Sequence, residues 1–321
     1  MSQSTADTIS PSEGIGSVQR APSIRPLLHP TEPSRLGLAL VASVLALGLP
    51  IYLIVRVGGI TPVAELGLAL SLFIASIYLS IQLSRARLLG RSVRVDAFTF
   101  PQLQEVIDEV RATLRYERPF EVYVTRSAAR DISMTSLLGT RLILIEGDLL
   151  ADLSKPDKRS QLVFLIGSYV GALRAQHARV DLLVLIMQWA EVLKYVNLLI
   201  LPYYRATTYS GDQIGAMCCG DIGASLQAGR RLLVGAEMAE GLTAGAVLPQ
   251  AMLVKQRALP RLVQLTAAEP HITNRYANLL CFCRFHDPEL WERLRASMDT
   301  RELDFAEQVW RRSPFSRHAL R

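Results

Sequence analysis

LGLALVASVLALGLPIYLIV, Leu36 to Val55, sets the first expectation for the fold, because none of its twenty residues is charged. As a helix it would extend about 30 Å, the thickness of a hydrocarbon core. Pro50 lies inside it and removes one backbone donor, a kink that helices in lipid tolerate. A second uncharged run, LGLALSLFIASIYLSIQLS, follows from Leu66 to Ser84, after a turn carrying Arg56, Gly58, Gly59, Thr61, Pro62 and Glu65. The pattern predicts a transmembrane helical hairpin over 35–85, with spans at 36–55 and 66–84. The run begins too late and is too long for a cleaved signal peptide.

Charge sets the predicted orientation. Arg20, Arg25 and Arg35 precede the first span, Arg85, Arg87, Arg91 and Arg94 follow the second, and the turn holds only Arg56. By the positive-inside rule both termini and the large C-terminal domain face the cytoplasm, as in a bacterial inner-membrane protein. Residues 1–34, rich in Ser, Pro and Thr, read as a disordered tail.

The chain's 321 residues are 50% hydrophobic, enough for one core plus a membrane element. A net charge of +6 does not gather into a basic face with interleaved aromatics, so a nucleic-acid partner is not supported. The four cysteines form two close pairs, Cys218-Cys219 and Cys281-x-Cys283. Neither has the C-x2-C spacing usual for zinc, and both read as reduced, buried thiols. No cofactor motif is present.

The domain over 86–300 reads as α+β, mostly helical, with a small sheet. Leu103, Val106, Ile107, Val110 and Leu114 have helical spacing, ended by Pro119. FEVYVT (Phe120 to Thr125) alternates like a strand, and DISMTSLLG (Asp131 to Gly139) and TRLILIEG (Thr140 to Gly147) predict two more. A helix over 158–180 follows, with Gly167 and Gly171 on one face, where another element can approach closely. Asp181 to Leu201 is apolar but carries Glu191 and Lys194. Each would cost about 2.5–3.5 kcal/mol at the bilayer centre. The segment 182–201 is therefore read as an interfacial or packed helix in preference to a third span. Further helices are predicted over 203–221, 222–242, 248–265 (limited by Pro249 and Pro260), 270–282 and 287–298, before an Arg-rich tail at 301–321.

Several of these segments carry a resemblance: FEVYVTRSAARDISMTSLLGTRLILIEGDLLADL (Phe120 to Leu153), FLIGSYVGALRAQH (Phe164 to His177), YRATTYSGDQIG (Tyr204 to Gly215) and PHITNRYANL (Pro270 to Leu279). In element order the chain resembles the M48 family of membrane zinc peptidases, which implies a zincin-like domain behind the hairpin. The family's H-E-x-x-H falls on Ser168-Tyr169-Val170-Gly171-Ala172, and its third ligand position on Thr208. Asp212, Gly171 and His177 match the pattern, as do Pro270, His271 and Arg275 in a late structural segment. Ser168, Ala172 and Thr208 cannot replace the metal ligands, and Tyr169, with an ordinary pKa near 10, is a poor base.

The resemblance thus implies a catalytically inactive, membrane-tethered protein without a metal. Its partners would be membrane lipid and a polypeptide or membrane protein, the polypeptide adding a strand at the edge near Asp131 to Leu137. The alternatives are a metalloendopeptidase-type hydrolase with an atypical site, and a structural subunit or assembly factor of a membrane complex. His177, Asp212, Arg205 and Arg275 are candidates for a polar network. A buried Asp212 carboxylate needs a partner, for which Arg205, Arg174 or His177 are candidates.

Overall fold

The computed structural model describes residues 27–58, 86–126, 132–137, 140–177, 194–267 and 269–318, with short helical pieces between 67 and 83. Helix α1 (Glu32–Gly58) is followed by strand β1 (Ser92–Arg94) and helix α2 (Pro101–Leu114). The apolar stripe of α2, Leu103, Val106, Ile107, Val110 and Leu114, is buried throughout. Strands β2 (Phe120–Thr125), β3 (Ile132–Leu137) and β4 (Thr140–Glu146) complete a four-stranded sheet in the order β1-β2-β4-β3. Strand β2 runs parallel to β4, with Phe120 opposite Arg141, whereas β1 and β3 pair antiparallel with their neighbours. The central strand β4 buries Leu142, Ile143 and Ile145, and β3 stands at an edge of the sheet.

After helix α3 (Gly147–Leu153) and a 3₁₀ turn at Pro156–Lys158 come two long helices, α4 (Arg159–His177) and α5 (Lys194–Cys219). Leu162, Phe164, Leu165, Ile166, Val170 and Leu173 of α4 are all buried, so this helix is the domain's axis. Helix α6 (Ile222–Val234) starts on Asp221, whose carboxylate accepts from the Ala224 amide. It ends at Gly235, where φ is 83°, a conformation that favours glycine. Short α7 (Ala236–Ala239) leads to α8 (Leu248–Gln256) and α9 (Ala258–Thr266), which are divided at extended Arg257, with Pro249 and Pro260 each in a first turn. Helices α10 (Ile272–His286) and α11 (Pro288–Ala296) follow. Much of the stretch 301–321 is helical, forming α12 (Thr300–Arg312) and α13 (Pro314–His318). A capping box between Asp299 and Glu302 starts α12, and Phe315 of α13 is buried.

The N-terminal expectation is corrected. Among the described residues no helix is long and apolar enough to cross a membrane. The fold is mostly α-helical with a four-stranded sheet, and the described residues show no transmembrane hairpin of the kind expected over 35–85. The lipid partner and the inner-membrane placement that rested on the hairpin fall with it. The start of α1 is instead part of the domain. Glu32 is fully buried, and Ala39 packs against Tyr203 of α5. Its other side leaves Leu38, Val41, Leu45 and Tyr52 more than half exposed. The turn at 59–66, most of the tail at 1–34 and residues 182–193 lie outside the described residues, whereas 194–201 open α5.

Candidate functional site

Helices α4 and α5 cross at a seam of small residues. A Cβ added at Gly215 would lie 2.6 Å from the Ser168 nitrogen, and one at Gly171 would lie 2.8 Å from Ile214 Cγ2. The backbones are in contact, so no cleft separates the two helices there. The side chains at the motif positions do not converge. Ser168 is buried and donates to Leu165 O on its own helix at 2.9 Å, while Thr208 donates to Tyr204 O at 3.0 Å. Ala172 fills the space against Gly211. Tyr169 points to the sheet and donates to Ile132 O at 3.0 Å. Burial pushes its phenol up to about 12, although Arg275 pulls the other way. That hydroxyl is held as a donor.

Asp212 and Arg275 form the polar centre of the core. Nε and Nη2 of Arg275 donate to the two carboxylate oxygens at 3.0 and 2.6 Å, a bidentate pair with both residues buried. The guanidinium carbon also stands 5.8 Å from the centre of the Tyr169 ring. Burial alone would lower the Arg275 pKa, but the Asp212 carboxylate outweighs it and holds Arg275 well above the ordinary arginine value. Arg205 is not in this pair. It donates to the carbonyls of Gln264 and Ala267 at 2.8 and 2.9 Å, closing the C-terminal end of α9. His177 ends α4, and its side chain lies outside the described residues.

A different constellation lies where the N-terminal segment meets the domain, and the sequence pattern did not indicate it. His29 is buried, its amide donates to Ser210 Oγ at 2.8 Å, and its ring stacks on Tyr209 at 5.2 Å. Ser210 in turn donates to Glu32 Oε2 at 2.6 Å. Beside them is a cavity of about 130 Å³ lined by His29, Arg35, Lys255, Asn274, Asn278 and Arg312, among others. These residues come from α1 and its approach, α8, α10 and α12. Arg35 donates to Pro202 O at 3.2 Å, but among the described residues no carboxylate pairs with Arg35, Lys255 or Arg312. The Asn278 Nδ2 and Asn274 Oδ1 atoms are buried without a hydrogen-bond partner.

The electrostatics follow from that lining. Burial lowers the Arg35 pKa, and partial withdrawal from water lowers that of Lys255, opposed by Cys281 and assisted to a smaller extent by the Arg312 charge. Arg205 is lowered by burial and then by Arg35. Burial, helped by Arg35, pushes His29 down from 6.5 to about 4. The imidazole therefore stays neutral in the fold while the unfolded chain takes up its proton near 6.5. Stability attached to His29 is complete above that pH and is lost as pH falls toward 4. At about 1.4 kcal/mol per pH unit the loss amounts to about 2–3 kcal/mol at pH 4.5. Thermal melts at pH 7 and 4.5 should show a smaller decline in His29→Gln than in the parent; equal declines would count against a neutral buried imidazole.

No group of three or more His, Cys, Asp or Glu side chains able to hold a metal occurs among the described residues. The cysteines do not supply one. Burial pushes Cys218 and Cys281 up to about 11 and Cys283 up to about 12. The resemblance to the M48 peptidases is therefore corrected, since the positions on which it rested are interior packing and the likeness in element order finds no independent support. With it go the membrane-tethered, M48-like function and its two alternatives, which depended on the same anchor or metal chemistry. Compared with known proteins, the chain matches no family model, no curated protein and no solved structure.

Proposed function

We propose that this chain is a binding domain for an oxyanion, a phosphate group in particular, seated between His29, Arg35, Lys255, Asn278 and Arg312. The observation that carries this reading is the set of three cationic side chains around one cavity with no carboxylate partner among the described residues. Gathering like charges around one cavity is unfavourable, and a bound anion reverses the sign of that interaction. Arginine's planar fork suits phosphate oxygens, lysine adds a point charge, and the Asn278 amide supplies an unused donor. The cavity of about 130 Å³ has room for several waters or one phosphate group.

Titration calorimetry with inorganic phosphate, against chloride at equal ionic strength, tests the proposal. Saturable binding is expected, weakened at least about tenfold by Lys255→Gln or Arg312→Gln, the loss of one charge-assisted contact worth about 1.5–3 kcal/mol. Both side chains are exposed at the rim, so neither substitution should disturb the core. Phosphate heats indistinguishable from those of chloride, or binding unchanged in both variants, would overturn the assignment.

A further inference from the structure

We infer that anion occupancy of this cavity controls how firmly the N-terminal segment, residues 27–42, is docked on α5. The inference rests on the oxyanion reading above and adds a conformational consequence to it.

Two parts of the molecule meet at the cavity. His29 and Arg35 belong to the N-terminal segment, whereas Lys255, Asn274, Asn278 and Arg312 belong to α8, α10 and α12. The segment is attached by the His29 amide and the Glu32 carboxylate on Ser210, Arg35 on Pro202 O, the His29–Tyr209 stack, Ala39, Leu36 and Leu40 beside Tyr203, and Leu27 and Leu28 against the main core. Docking also carries Arg35 toward Arg205 and toward a wall bearing Lys255 and Arg312. Without an anion that approach is opposed by like charge. An anion held by Arg35 on one side and by Lys255 and Arg312 on the other joins the two parts and removes the opposition. It binds the docked arrangement more tightly than the undocked one, which is the condition for a ligand to shift a conformational equilibrium.

The size of the effect follows from mass action. At a phosphate concentration ten times its dissociation constant, a ligand absent from the undocked state reduces that state's population about elevenfold. Hydrogen exchange of the full-length chain reads this directly, since amides opened by undocking slow by the same factor. Slowing of about tenfold is expected for peptides covering 32–42 with inorganic phosphate, and none with chloride at equal ionic strength. Peptides from α2, remote from the cavity lining, should not change. In Arg35→Gln the slowing should fall below about twofold, even at phosphate concentrations raised to restore occupancy through Lys255, Arg312 and Asn278.

Calorimetry on the same samples separates the two possible failures. Phosphate that binds without slowing exchange at 32–42 would overturn the coupling and leave the oxyanion reading in place. Slowing that survives in Arg35→Gln at equal occupancy would also overturn it. An absence of phosphate binding would remove both.

Discussion

Arg275→Met is expected to destabilise the domain by about 3–5 kcal/mol, because it leaves the Asp212 carboxylate buried without its countercharge. Asp212 sits on α5 and Arg275 on α10, 63 positions apart, with both side chains almost withdrawn from water. The bidentate geometry satisfies both carboxylate oxygens at once. Domains of this kind are stable by only about 5–15 kcal/mol, so the loss should dominate a urea titration. Arg275→Lys should recover little of it, since one ammonium replaces neither the fork nor its position over the Tyr169 ring. The double variant Asp212→Leu, Arg275→Met is the discriminating measurement. With no buried charge left, it should regain at least about 2 kcal/mol over Arg275→Met alone. If single and double variants unfold at the same urea concentration with equal slopes, the cost belongs to lost packing and the pair is not acting as a unit.

That pair also shows where the sequence stops being informative. Local periodicity was readable. The stripe from Leu103 to Leu114 is buried as its spacing demands, and FEVYVT is β2 to the residue. The four-residue spacing of Gly167 and Gly171 correctly announced a close approach, and Gly211 and Gly215, with the same spacing, supply the other side of it. The Asp299-x-x-Glu302 capping box was present as well, and it marks a helix in a stretch read only as a basic tail. Partners distant in sequence were not readable. Nothing near Asp212 distinguishes Arg275 from Arg205 or Arg174. The cavity joins residues from 29 to 312, each of them unremarkable in its own segment. The apolar run at 36–55 misled for a related reason. Hydropathy counts side chains but does not show that Glu32, Arg35 and Ala39 attach its first turns to another helix.

Gly211→Ala is the second large effect, and its sign is opposite to what helix propensity predicts. In an open helix the exchange stabilises by about 1 kcal/mol. Here the new Cβ would overlap the Ser168 carbonyl oxygen and lie 2.8 Å from the Ala172 Cβ and 3.0 Å from its nitrogen. Two of those three atoms are backbone in a fully packed helix, so relief requires α4 and α5 to move apart. Overpacking of this kind costs about 1–3 kcal/mol, and more when backbone must yield. Gly215→Ala meets the Ser168 nitrogen at 2.6 Å and the Phe164 oxygen at 2.8 Å, and should behave alike. Gly171→Ala should be somewhat milder, because its nearest backbone contact, the Gly211 oxygen, stands at 3.3 Å, although the Ile214 Cβ at 2.9 Å moves only with its helix. Gly167→Ala should be mildest, its nearest contact being 3.2 Å. Urea midpoints falling in that order would confirm a backbone seam; a rise for Gly211→Ala would refute it. Tyr209, Ser210 and Asp212 flank Gly211 on the same helix, so a displaced α5 should weaken phosphate binding as well. A variant that melts early yet binds phosphate like the parent would show that the seam and the N-terminal cavity are mechanically separate.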